Sequence, residues 1–134
     1  LLEESMRILI IASNLPWRES LEHHIDTIEG TEVMVAFNPY AGIQAILQIP
    51  QPGLIITRMM FTECENIHHD VRGEAGVIIA AALRVMEIDI PIFIASDRCD
   101  PAGMELVARH ATKAFIAGDS SLPEIVEAVK TLMV

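Results

Sequence analysis

Side chains able to bind metal crowd into one stretch, where Glu63, Cys64, Glu65, His68, His69 and Asp70 lie close together. Carboxylates, imidazoles and thiolates are the ligands of zinc and calcium sites. Their spacing here matches no recognised zinc or calcium loop, and adjacent histidines on an aperiodic segment seldom converge on one ion. The stretch therefore reads as a solvated polar loop, with no metal or cofactor expected. Cys99 follows Arg98, a neighbour that favours thiolate, yet no histidine–carboxylate arrangement stands in sequence reach to make it a nucleophile. Ser13 and Ser96 lack a placed histidine base and the G-x-S-x-G elbow of a hydrolase. Asn14-Leu15-Pro16 has no glycine fingerprint for a dinucleotide. The chain reads as a protein that is not an enzyme.

The elements that position these residues alternate. Arg7–Ala12 is an aliphatic run of the kind buried on both faces of a sheet. Trp17, Leu21, Ile25 and Ile28 then recur at helical spacing up to Gly30. Val33–Phe37 is a second strand-like run. Asn38-Pro39 caps a helix whose apolar face is Ile43, Ile46 and Leu47. Leu54–Thr57 is a third strand, and residues 61–75 form a long polar loop, a feature that in compact domains is commonly functional or mobile. The next helix, Ala75–Met86, turns Ile78, Ala81, Ala82 and Val85 one way. Ile90–Ala95 is a fourth strand, Asp100-Pro101 caps a helix to His110, and Ala114–Ile116 is a fifth. Ser121-x-x-Glu124 is a capping box for a last helix that buries Ile125, Val126, Val129, Leu132 and Met133.

Five such β-α units require a parallel sheet covered on both faces, and right-handed crossovers leave few topologies. The expectation is a three-layer, doubly wound, flavodoxin-like α/β fold with strand order 2-1-3-4-5. Ligands would gather at the carboxyl ends of the strands, at Ala12-Ser13-Asn14, Thr57-Arg58, Ser96-Asp97 and Ala117-Gly118.

Composition narrows the class. With 134 residues the chain is expected to form one domain, 1–134, with residues 1–5 as an N-terminal extension. Nine basic against 19 acidic side chains give a net charge of −10, which disfavours direct nucleic-acid binding. Apolar stretches such as Ile8–Ala12 and Ala75–Leu83 fall short of the ~18 to 20 residues that span a bilayer, and residues 1–5 lack the features of a signal peptide. Two cysteines, Cys64 and Cys99, without CxxC spacing fit a reducing cytoplasm. Only 21% of residues are charged and the mean hydropathy is +0.40, so a self-association or docking face is expected.

Two segments carry a family likeness. Pro52-Gly53-Leu54-Ile55-Ile56-Thr57-Arg58-Met59-Met60 resembles the P-D-L-I-I-x-D-x-M-M segment of response-regulator receiver domains, the CheY-like family. Arg7–Asn14 is similar to that family's K-I-L-I-V-D-D opening, and the resemblance spans nearly the whole chain. It implies a phosphoacceptor aspartate after strand three, an acidic pair after strand one holding Mg²⁺, a Ser or Thr after strand four and a Lys-Pro pair after strand five. Aligned on these positions stand Arg58, Ala12 and Ser13, Ser96, and Ala117-Gly118; only Ser96 keeps the family's chemistry. The family's switch aromatic aligns with Ala114, and Phe115 beside it points to the other face. Mg²⁺ needs hard anionic oxygens, and a guanidinium cannot form an acyl phosphate. The likeness is thus to a degenerate receiver, with 61–75 inserted over the former site.

Arg58 has three open readings: it fills a vacated pocket and reaches solvent, it pairs with Asp97 or Asp100, or it forms an anion site with Ser13 and Ser96. Met104, Leu106, Val107, Phe115 and Met133 are the candidate interface, in the region where receivers dimerise. The expected function is a phosphorylation-independent signalling module that docks a protein partner or fused effector, or forms a homodimer. The alternative is a small-anion or nucleotide sensor near Arg58.

Overall fold

The computed structural model describes residues 6–12, 15–48, 50–58, 75–96, 114–118 and 122–133. Its elements are β1 (Met6–Ile11), α1 (Leu15–Asp26), β2 (Thr31–Ala36), α2 (Pro39–Ile46), β3 (Leu54–Arg58), α3 (Ala75–Val85), β4 (Ile92–Ser96), β5 (Ala114–Gly118) and α4 (Leu122–Met133). The strands form one sheet in the order β2-β1-β3-β4-β5, every neighbouring pair parallel. The expected helix 100–110, the metal-ligand-rich loop and Met104, Leu106 and Val107 lie outside the described residues.

Alternation along each strand divides the core in two. Leu9, Ile11, Ile55, Ile92 and Ile94 face α2 and α3, where they meet Ile46, Ile79, Ala80 and Leu83. Ile8, Ile10, Leu54, Ile56 and Phe93 face the other way, against Leu21 and Ile25 of α1 and Ile125 and Val129 of α4. A parallel sheet with helices against both faces is the flavodoxin-like arrangement. The stripe expected on α1 is present, with Trp17 and Ile28 completing the contact of Leu21 and Ile25.

Boundaries and faces depart from the expected pattern in four places. β2 starts at Thr31 rather than Val33, because pairing carries it past its apolar run. Thr31 and Glu32 align with Met6 and Arg7, Arg7 Nε meets Glu32 Oε2 at 3.3 Å, and Thr31 Oγ1 donates to the Ile25 and Ile28 carbonyls. Phe37 lies beyond the strand, 57% exposed. β4 begins at Ile92 rather than Ile90, since Pro91 has no N–H for the ladder, although its carbonyl accepts from Ile55 N at 3.0 Å.

On α2 the buried residues are Pro39, Gly42 and Ile46, while Leu47, expected inside, is the C-cap and 56% exposed. Gly42 rests directly on the Ile11 side chain, so the absence of a Cβ sets the distance between helix and sheet. On α3 the buried face is Ile79, Ala80 and Leu83, and Val85, expected inside, is 83% exposed. In AGVIIAAALRV nearly every position is apolar, so spacing alone cannot choose a face; packing against α2 does.

α3 ends in a left-handed turn at Glu87, φ 56°, with Ile88 N donating to Leu83 O at 2.9 Å. This is the position where glycine is usual, because a Cβ is disfavoured there. Glu87→Gly is expected to raise stability by about 1 kcal/mol. A urea midpoint that stays level or falls would count against this account of the turn.

Candidate functional site

The carboxyl ends of the strands come together along one edge of the sheet. Ile11 is in register with Thr57, Arg58 with Ala95, Ala95 with Ala117, and Ser96 with Gly118. The backbone therefore brings Ala12, Arg58, Ser96 and Ala117, four of the residues singled out from the sequence, to a common edge. Ser13 and Asn14 lie outside the described residues. Phe115 lies within β5, in register with Phe93, and Met133 is the last residue of α4.

Ala12 is buried, and its N–H donates to Ala36 O at 3.0 Å, tying the end of β1 to the end of β2. Thr57, one residue before Arg58, is also buried. Asn38 starts α2 at this edge: its Oδ1 accepts from Ala41 N at 2.8 Å, with Pro39 opening the helix. Parallel topology points helix N-termini, and so their positive dipole ends, toward this same edge.

A residue that sequence reasoning passed over is Arg18. It is only 9% exposed, its Nη1 donates to Ala12 O at 3.3 Å, and its guanidinium lies 4.3 Å from the centroid of the Phe37 ring. Its Nε–H is buried without an acceptor, a condition worth about 1 to 3 kcal/mol in the unfavourable sense. The signal was available: Arg18 stands three residues before Leu21 and seven before Ile25, on the buried stripe of α1.

The chemistry this edge can perform follows from charge. The positions at the ends of β1 and β3 hold Ala12 and Arg58, and the buried ionisable group beside them is a second cation, Arg18. Such a set repels Mg²⁺ and has no carboxylate to phosphorylate. Part of the excess acid lies elsewhere, around an open groove between α1 and β2 lined by Glu19, Glu22, Asp26 and Glu32. Among the described residues no group of three or more His, Cys, Asp or Glu is placed to hold a metal ion, and no helix is long and apolar enough to cross a membrane.

No protein-family model matches the sequence, and no curated protein matches it. Solved structures do match. The signal receiver domain of NarL from Mycobacterium tuberculosis superposes with a TM-score of 0.77 at 21% identity, over 97% of each chain. A CheY-like receiver domain from Methanospirillum hungatei JF-1 matches at 0.74 and 14% identity, over 97% of this chain and 94% of its own. A DNA-binding response regulator of the LuxR family from Staphylococcus aureus matches at 0.74 and 16%, over 95% and 98%. The fold is that of response-regulator receiver domains.

Proposed function

We propose that residues 1–134 form one receiver-like signalling domain that acts in the cytoplasm through protein–protein contact, without accepting a phosphoryl group. The observation that carries this reading is the charge at the strand ends: a receiver fold in which Ala12 and Arg58 occupy the positions of metal-binding and phosphoacceptor carboxylates. Loss of that chemistry leaves the surface as the working part. Its output is pairing with a second copy, or docking to a separate or fused effector, with Met104, Leu106, Val107, Phe115 and Met133 as the contact residues. The match to a structure described as a DNA-binding response regulator supports the fused-effector form, in which the effector rather than this acidic domain would touch nucleic acid.

Incubation with acetyl phosphate and Mg²⁺ is expected to leave the intact mass unchanged, while a phosphorylatable receiver treated in parallel gains one phosphoryl group. A stable acyl phosphate on this chain would end the proposal.

A further inference from the structure

Arg18 has an arrangement that the contact-module reading leaves unexplained. The planar guanidinium offers five N–H donors. One, on Nη1, is engaged by the Ala12 carbonyl in a long bond of 3.3 Å, and the Phe37 ring covers a face of the group. A ring over the face leaves the in-plane donors uncommitted. Nε–H, among these, is buried and has no acceptor, although buried donors in folded proteins are almost always paired. Among the described residues no carboxylate forms an ion pair with Arg18. The guanidinium reaches back toward the start of α1, a helix of 12 residues with no acidic side chain in its first turn. The positive end of that helix and a buried, incompletely paired cation therefore face the same place, the mouth between β1 and α1 on the side of β2.

We propose that this mouth binds a small oxyanion, phosphate or carboxylate, through the guanidinium of Arg18. The planar donors match the paired oxygens of either group, and the bound charge gives the buried cation the counter-ion it lacks. Ala12 O and Phe37 hold the guanidinium in place, so little side-chain freedom is lost on binding. This site is built from β1, α1 and the residue after β2. It does not need Arg58, and it does not depend on whether the domain signals by protein contact.

The test is nitrogen-15 NMR of the full chain in chloride buffer, titrated at constant ionic strength with sodium phosphate and, separately, with sodium acetate. The Arg18 Nε–H resonance is expected to move saturably with at least one of the two, and the pair of titrations tells which oxyanion the site prefers. Arg18→Lys, which keeps the charge and loses the planar donors, is expected to bind at least about tenfold more weakly, whereas Arg58→Ala retains the response. A guanidinium completed by water gives an Nε–H resonance indifferent to both anions, and that result overturns the proposal. So does a saturable response elsewhere in the spectrum that leaves Arg18 Nε–H unmoved, or one abolished by Arg58→Ala. Should Arg18→Lys fail to fold, the wild-type resonance alone decides.

Discussion

Ile10→Ala lowers the free energy of unfolding by about 3 to 4 kcal/mol. Ile10 is fully buried in β1, an interior strand, in register with Ile56 of β3, and packs into the cluster closed by Leu21 and Ile25 of α1 and Ile125 and Val129 of α4. Truncation removes three carbons from a place where two neighbouring strands and two helices cannot all move inward, so the transfer loss is joined by a cavity term. Urea denaturation should show the midpoint fall with the slope unchanged. Val126→Ala on α4, a position only partly buried, is the comparison and should cost about 1 kcal/mol. Ile56→Ala should have an effect of similar size, and the double variant should fall short of the sum, because the two residues share one cavity. An Ile10→Ala loss below about 1 kcal/mol would mean that the α1 and α4 layer is not packed as described.

The second large effect concerns the other face. A Cβ on Gly42 would overlap Ile11 Cδ1 and lie 3.0 Å from Ile11 Cγ1, and Ile11 is itself fully buried. Helix propensity favours alanine over glycine by about 1 kcal/mol, so Gly42→Ala sets that gain against overpacking and should come out destabilising by about 1 kcal/mol. Gly42→Val adds two more carbons and a β-branch, and is expected to cost about 3 kcal/mol or more. The mechanism has its own check: Ile11→Val deletes Cδ1, the atom in the way. Thermal denaturation should therefore show Gly42→Ala better tolerated in the Ile11→Val background than in the wild type. Equal losses in both backgrounds would place the cause in α2 itself rather than in its contact with β1.

Sequence reading went furthest where residues carry a strict period. Arg7–Ala12 and Leu54–Thr57 are aliphatic throughout, as a strand covered on both sides must be, and both lie inside the sheet. Trp17, Leu21, Ile25 and Ile28 could be assigned to one face because polar residues separate them. The same rule failed on α3, where nothing polar marks an outer side, and on α2, where the closest approach to the sheet is made by a glycine that no hydropathy pattern reports. At the strand ends, the alignment of Ala12, Arg58, Ser96 and Ala117 follows from topology and was legible. Arg18 was not singled out, because a charged residue on an apolar stripe is ordinarily discounted as reaching solvent. Its burial depends on Phe37, which the chain brings alongside only once β2 has paired with β1.

The position of β1 between β2 and β3 has a consequence during synthesis. β1 leaves the ribosome before either neighbour, and its second edge stays open until residues 54–58 have followed. Throughout that interval Ile8-Leu9-Ile10-Ile11, a run without charge, proline or glycine, is an aliphatic ribbon with no sheet or helix layer to cover it, the composition that self-associates most readily. Parallel pairing offers no hairpin to shelter it early, since each partner must arrive by way of a helix. Translation speed and chaperone occupancy over roughly the first half of the chain should therefore govern the soluble yield more than the stability of the finished domain.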